Sequence, residues 1–433
     1  MTDINPQAGQ LNEQIMKERS SVMDLLSEKG KAIYFPKLGI LSQSAEAKGK
    51  DINATIGIAL EEDGGPMNLS CISRRVDLPA AHVFPYAPSH GRPDLREAWK
   101  AMLIKKNPSI SGKCFSLPIV TSALTHGLST CGYMFCNPGD RIIIPDLFWG
   151  NYNLIFAQAH EAIFDKFPLF NSKGGFNISG FRKKLLSGAA GKRIVCLNFP
   201  NNPTGYTPTV EEMQDLKSAL LEAAQQERKI VVLIDDAYFG LVYERGVYDQ
   251  SVFGELCDLH ANILAVKLDG ATKEDYAWGF RVGFITYGIQ GGTQLLYEAL
   301  EAKTAGAVRG NVSNSSNVCQ SLLVEAYSSG EYEQEKKDKY EVLRRRYETV
   351  KGILAAHPEY EEHFVPLPFN SGYFMCVKML KVDSEKLRRK LLDDYSTGVI
   401  AISGAIRVAF SSTPTHRLEN LFDNIFQAAK ALS

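Results

Sequence analysis

The chain has 433 residues, enough for more than one domain and a large core, and carries a net charge of −1 with a pI of about 6.7. That balance gives no reason to expect nucleic acid or an anionic membrane as partner, and no basic tract or zinc-type Cys/His spacing is present. No apolar run reaches the roughly 18 residues that cross a bilayer, the polar start lacks a signal-peptide pattern, and eight scattered cysteines read as the reduced, mostly buried thiols of a cytoplasmic protein.

Residues 1–30 have a helical pattern, with Ile15, Met16, Val22, Met23, Leu25 and Leu26 on one side. A short apolar segment, 51–57, ends at Gly57. Next comes Phe84-Pro85-Tyr86-Ala87-Pro88-Ser89-His90-Gly91-Arg92-Pro93-Asp94-Leu95-Arg96, which by itself reads as a proline-rich loop before a helix capped by Asp94. Leu117 to Thr121 is a predicted strand, and a helix starts near Thr125. Backbone N–H groups at such a junction (Ala123, Leu124, Thr125) can bind phosphate, with the Thr125 hydroxyl adding a donor, provided the turn has ordinary backbone angles. His126 at a helix start is more often structural than a ligand. The strand 141–146 leads to Phe148-Trp149-Gly150-Asn151-Tyr152, where a large indole suits stacking on a cationic ring. Trp149 is the candidate; Phe148 is the alternative one register away.

Strand 193–199 runs into Pro200-Asn201-Asn202-Pro203-Thr204-Gly205, and a helix follows over about 210–227. Ile230 to Ile234 is a β-branched run typical of a central parallel strand, ending in Asp235-Asp236-Ala237-Tyr238. The second acid, Asp236, reads as a helix cap or, with Asp235, as a metal site. Strand 263–267 is followed by Leu268-Asp269-Gly270-Ala271-Thr272-Lys273 and, eight residues past that lysine, by Arg281 in Trp278-Gly279-Phe280-Arg281-Val282-Gly283. A lysine on a small-residue turn, desolvated or near another cation, can attack a carbonyl, and Arg281 supplies the cation. The glycine-rich 288–292 reads as a loop. Arg309-Gly310-Asn311-Val312-Ser313-Asn314 is either a surface stretch or part of a site. A long charged helix over 331–356 reads as a solvated surface. Strand 372–377, a helix over 384–394, the strand Ile406 to Ser411 around Arg407, and a last helix over 415–431 complete the chain. A strand arginine flanked by apolar residues needs an anion if buried.

Together these stretches resemble the fold type I pyridoxal phosphate (PLP) enzymes, in particular class I/II aminotransferases of the aspartate/aromatic type. The match rests on small-x-Ser/Thr-Lys with Gly-x-Arg-x-Gly at 270–283, Asn-Pro-Thr-Gly at 202–205, Asp-x-x-Tyr at 235–238, Trp-Gly-Asn at 149–151 and Tyr-x-x-x-x-Gly-x-x-x-Leu-Arg at 86–96. The resemblance implies an α/β fold: a large PLP-binding domain over 65–310 with a mainly parallel, seven-stranded type of sheet, and a smaller α+β domain from 1–64 and 311–433. It implies that Lys273 holds PLP covalently and serves as base and acid. Asp235 would pair with the pyridine nitrogen, while Asn202 and Tyr238 bind the ring oxygen and Trp149 covers the ring. Ala123, Leu124, Thr125, Thr272 and Arg281 would hold the phosphate. Tyr86 would reach the phosphate of a second subunit, so a homodimer is expected. Arg407 and Gly57 would meet the substrate α-carboxylate, and Arg309 the distal carboxylate from across the dimer. The implied activity is ping-pong transfer of an amino group from an L-amino acid, aspartate, glutamate or aromatic, to a 2-oxo acid. The alternatives are a β-lyase or decarboxylase of the same fold, or a non-catalytic effector-binding protein.

Overall fold

A computed structural model describes residues 4–34, 40–402 and 404–433. Its organising element is a seven-stranded sheet in the order β2-β8-β7-β6-β5-β3-β4. The strands are β2 (Ile119–Ser122), β3 (Arg141–Pro145), β4 (Ile163–Phe167), β5 (Lys192–Asn198), β6 (Lys229–Asp235), β7 (Ile263–Asp269) and β8 (Val282–Gly288). β8 runs antiparallel to both its neighbours, and the other six strands share one direction. The mainly parallel sheet expected from the sequence is therefore present, with β4 added at the far edge.

Both faces of this sheet are covered, which is why its inner strands read as unbroken apolar runs. Along β5, Ile194 and Cys196 face one core, which includes Leu128 and Cys131 of the helix Ala123–Phe135. Val195 and Leu197 face the other, which includes Met213, Leu216 and Leu220 of the helix Val210–Gln225. The latter helix opens with a capping box. The Thr209 hydroxyl accepts from the Glu212 N–H at 3.2 Å, and the Glu212 carboxylate accepts from the Thr209 N–H at 2.9 Å. Such a cap contributes about 1 kcal/mol.

The chain ends carry the second sheet. β12 (Ile400–Ile402), β13 (Ala405–Ala409), β10 (Phe374–Met379) and β9 (Phe364–Pro366) form an antiparallel sheet in that order. The short β1 (Ile52–Asn53) pairs parallel with β11 (Thr397–Gly398), and Ala409 N–H donates to Ala54 O at 2.9 Å. Residues 52–54 are thereby tied to the C-terminal third. Of the whole segment 51–57, only Ile52 and Asn53 are strand.

Several expectations are corrected. The N-terminal helix, Pro6–Leu25, forms as expected, but its apolar stripe is only partly covered by this chain: Met23 is buried, whereas Met16 and Leu25 are exposed. The side chain of Val22 lies outside the described residues. The long helix Tyr332–Ala356 is not simply a solvated surface. It buries Leu343, Tyr347, Val350 and Ile353, and also Arg346, which donates to Glu62 at 2.9 Å and to Ser411 O at 2.5 Å. Charge density along a helix does not reveal that some of its charges point inward to partners. Asp94 is not an N-cap, because the helix Pro93–Lys106 begins one residue earlier. Its carboxylate accepts from Arg92 instead, at 2.6 and 3.0 Å. All eight cysteines are free and five are buried, as expected of reduced thiols. No helix among the described residues is long and apolar enough to cross a membrane.

Candidate active site

The cavity of interest lies past the C-terminal ends of β5, β6 and β7, the edge where parallel α/β sheets bind ligands. It encloses about 460 Å³, within the usual range of about 300–1,000 Å³ for small-molecule sites. Register explains the convergence: Asn198 at the end of β5 pairs with Asp235 at the end of β6, which pairs with Leu268 of β7. Asn202, Asp235, Tyr238 and Lys273 follow those tips within a few residues, so all four reach the same space. A second cleft, of about 400 Å³, lies at the other ends of β3 and β5, where Lys184 pairs with Asp165 and Lys192 with Asp140, both at 2.5 Å.

Lys273 sits on a one-turn helix, Ala271–Glu274, that follows Gly270. A Cβ at Gly270 would come within 2.6 Å of Val282 O, so the turn needs glycine to lie against β8. The Lys273 ammonium lies 4.7 Å from the centre of the Tyr238 ring. Burial brings its pKa down to about 8; Asp235 opposes this and Arg281 adds to it. Asp235 is buried and accepts from the Tyr152 hydroxyl at 2.6 Å and from the Ala237 N–H at 3.1 Å. Burial pushes its carboxyl above the ordinary range, against the pull of the Tyr152 hydrogen bond and the Lys273 charge.

The neighbouring Asp236, one residue past the end of β6, meets a different set of partners. It forms a buried ion pair with Lys267 and accepts from Ser251 Oγ at 2.5 Å. No helix follows directly for it to cap, and its carboxylate is engaged by Lys267 and Ser251. Among the described residues no group of acids, histidines or cysteines is arranged to hold a metal.

On the opposite wall, Arg407 of β13 is buried. It donates to Asn202 Oδ1 at 3.2 Å and to Thr55 O at 2.9 Å, and stacks 4.1 Å from the centre of the Phe374 ring. Among the described residues no carboxylate lies within ion-pair distance of it. Burial lowers its pKa, and its Nε has no protein partner. A guanidinium held this way is built to receive an anion.

The third wall is the start of the helix Ala123–Phe135, whose first turn has no side-chain cap. Its free N–H groups and helix dipole favour an anion. The expected ordinary turn angles are not what forms. Ala123 adopts φ 65°, a left-handed conformation that costs a non-glycine residue about 1–2 kcal/mol. Gly283 of β8 packs directly behind it, where a Cβ would lie 2.6 Å from the Ala123 carbonyl carbon. The Thr272 hydroxyl is buried with no partner, and Arg281 reaches the cavity from its own left-handed turn, φ 55°. His126 accepts from the Ser122 N–H at 3.0 Å through Nδ1, burial lowers its pKa, and its Nε2 is buried without a partner.

Trp149 lines the cavity, whereas Phe148 packs on Phe164 with ring centres 5.2 Å apart, which separates the two register alternatives. Gly57, Leu124 and Thr125 also line the cavity. Tyr86 and Arg309 do not: Tyr86 is 90% exposed, and Arg309 is exposed at the end of the helix Gln294–Asn311, donating to Ser313 Oγ at 3.2 Å. Sequence reasoning missed Tyr152, Asn198 and Phe374. Asn198 accepts the Asn202 N–H at 2.8 Å and donates to Asp235 O at 2.8 Å, joining two tips. The aromatic run 148–152 was the available signal for Tyr152.

Residues 79–425 match the family described as aminotransferase class I and II. The chain belongs to that family. Among aminotransferases it is similar to the aspartate aminotransferase of Bacillus sp. (strain YM-2), at 24% identity over 413 residues, 91% of this chain and 96% of that one. It is also similar to the probable N-acetyl-LL-diaminopimelate aminotransferase of Bacillus subtilis (strain 168), at 27% identity over 208 residues. That second match spans about half of each protein, 47% of this chain and 48% of the relative. In structure it resembles the kynurenine aminotransferase of Pyrococcus horikoshii, solved with PMP, with a TM-score of 0.78 at 18% identity, covering 95% of this chain and 98% of that one. At that identity the likeness to the Pyrococcus aminotransferase speaks for the fold.

The class I and II aminotransferases depend on PLP, and the cavity suits that group. It offers an uncapped helix start and a cation for a phosphate, an acid at one strand tip for a ring nitrogen, a flat indole, and a lysine with a lowered pKa. Cavity residues Thr272, Trp278 and Arg407 carry buried polar atoms that no protein group satisfies.

Proposed function

We propose that this chain is a PLP-dependent aminotransferase that moves an amino group from an L-amino acid to a 2-oxo acid. The observation that carries this reading is the facing of Lys273 and Asp235 by a buried Arg407 across one cavity. The bound cofactor would supply an aldehyde for the lysine amine and a ring able to take up negative charge. Asp235, held by Tyr152, would keep the ring nitrogen protonated. Asn202 and Tyr238, whose hydroxyl burial keeps protonated, would offer hydrogen bonds to the ring oxygen. Trp149 would cover the ring. Ala123, Leu124, Thr125, Thr272 and Arg281 would hold the phosphate. Arg407 takes the substrate α-carboxylate in a bidentate grip, with the backbone at Gly57 beside it. That grip aims the substrate Cα–H at Lys273 Nζ, which removes the proton as general base.

Tyr86 and Arg309 are exposed in one chain, as side chains that serve a second copy must be, and the working unit in this reading is a homodimer in the cytoplasm. The chain would divide into a large part, 65–310, and a smaller part from 1–64 and 311–433, with the cavity between. The substrate would be a dicarboxylic or aromatic amino acid.

The test is Lys273→Ala. The wild-type protein mixed with PLP gains the visible absorbance of a lysine-bound cofactor and converts an amino acid and an oxo acid to their exchanged pair. The variant lacks that absorbance and loses turnover by at least the factor of about 10²–10⁴ that a general base supplies. A variant with wild-type turnover would refute the reading, and release of ammonia or CO₂ without an oxo-acid acceptor would replace it with a lyase or decarboxylase.

A further inference from the structure

Roles for a cofactor and an α-carboxylate account for every cation that lines the cavity among the described residues: Lys273, Arg281 and Arg407. What remains includes Thr55, Ala237 and Trp278 and a largely apolar wall, Ile40, Ser44, Ile56, Ile58 and Phe374, in which Ser44 is the one polar side chain of the five.

Ile40 and Ser44 lie on the short helix Ile40–Glu46, four residues apart and so on one face. The rest of that helix is fastened to the C-terminal part of the chain. Gln43 donates to Ala401 O at 3.3 Å and accepts from the Ala401 N–H at 2.8 Å. Glu46 pairs with Arg388 at 2.9 Å and Arg389 at 3.0 Å. Behind the helix, Ala47 sits so close to Gly398 that a Cβ there would be 2.3 Å from its own Cβ. The face toward the cavity is therefore held in place by hydrogen bonds and ion pairs on the far side. Ile56 and Ile58 flank Gly57, and the carbonyl of Thr55, one residue earlier, accepts from Arg407. The same segments that border the α-carboxylate grip thus supply the apolar wall.

We infer that this wall receives the substrate side chain, that Ile40 and Ser44 set its selectivity, and that the preferred amino donor has a large uncharged side chain, aromatic or branched aliphatic, rather than a second carboxylate. A distal carboxylate placed there loses its water and depends for a cation on Arg309 of a second copy, whereas an uncharged side chain needs none. An apolar side chain gains contact along four hydrophobic residues, and one methylene in such a pocket is worth roughly 10–200-fold in selectivity. This inference rests on the aminotransferase reading.

The experiment is the single half-reaction of the PLP-loaded full chain with phenylalanine, leucine, aspartate and glutamate in turn, without oxo acid, followed by loss of the visible absorbance. Phenylalanine and leucine are expected to exceed aspartate and glutamate in rate constant over dissociation constant by about tenfold or more. Ser44→Arg, which adds a cation to the wall, shifts the ratio toward aspartate by a similar factor, and Ile40→Ala lowers the phenylalanine-to-aspartate ratio. A wild-type preference for aspartate or glutamate overturns the inference. If Arg309→Ala then abolishes that preference, an arginine from a second subunit has overridden the wall. Failure of every amino acid to change the absorbance refutes the aminotransferase reading, and this inference with it.

Discussion

Lys273 shows how much a residue owes to its surroundings. A turn of small residues can be read from the sequence, but the lowered pKa of about 8 arises because the fold buries the amine. Below that value the amine is protonated and cannot attack a carbonyl; above it the free amine predominates. The rate at which apoprotein takes up PLP should therefore rise with pH through about 8, followed as growth of visible absorbance in stopped flow. Asp235→Asn removes the carboxylate that opposes the shift, so its midpoint should move lower. A rate that stays flat across that range would show that amine protonation does not limit uptake. The three aromatic residues in 148–152 make the same point. Their identities are equivalent on paper, yet Trp149 faces the cavity, Phe148 packs against Phe164, and Tyr152 donates to Asp235.

At the level of elements, the turn carrying Lys273 is held from behind. On β7, Lys267 points away from the cavity and bridges Asp236 and Asp269, the latter at 3.3 Å, while Trp99 donates to both Asp269 oxygens at 3.1 Å. Just past Lys273, Glu274 pairs with Lys106 and, at 3.1 Å, with Lys336; Asp275 accepts from Tyr327 and Tyr332 at 2.7 and 2.6 Å. Acids at 269, 274 and 275 thus tie the lysine turn to the helices Pro93–Lys106, Asn317–Tyr327 and Tyr332–Ala356. Lys267→Met leaves two buried acids without their cation and should cost about 3–5 kcal/mol, seen as a lower thermal midpoint of the apoprotein. An unchanged midpoint would mean the acids are neutral in the native state. The sequence reads 263–267 only as an apolar strand leading to Lys273, and a buried lysine in such a strand gives no hint of its partners until β6 and the helix Pro93–Lys106 are docked.

The whole molecule leaves surfaces that one chain does not cover. Tyr86 and Phe84 stand out from the loop before the helix Pro93–Lys106, and Leu25 and Met16 from the N-terminal helix. Exposed apolar groups of this size are what a second copy would cover. If Tyr86 serves a neighbour's site, Tyr86→Ala and Lys273→Ala subunits complement each other. Re-associated in equal amounts, they should recover about a quarter of wild-type activity, because half the dimers are mixed and each mixed dimer has one intact site. No recovery would place Tyr86 in its own subunit's site or in none.

The sequence by itself determined the strand tips, their order and the chemistry they bring. Runs such as Ile230 to Ile234, followed at once by acid, amide or lysine, depend only on local pattern and on the rule that ligands meet the C-terminal edge of a parallel sheet. It could not supply what depends on contacts between distant segments. The Tyr152–Asp235 bond spans 83 positions, the Asn202–Arg407 bond 205 and the Thr55–Arg407 bond 352. The left-handed Ala123 and the side of β6 on which Asp236 finds Lys267 were likewise decided only by packing, because each is stabilised by neighbours that local spacing does not encode.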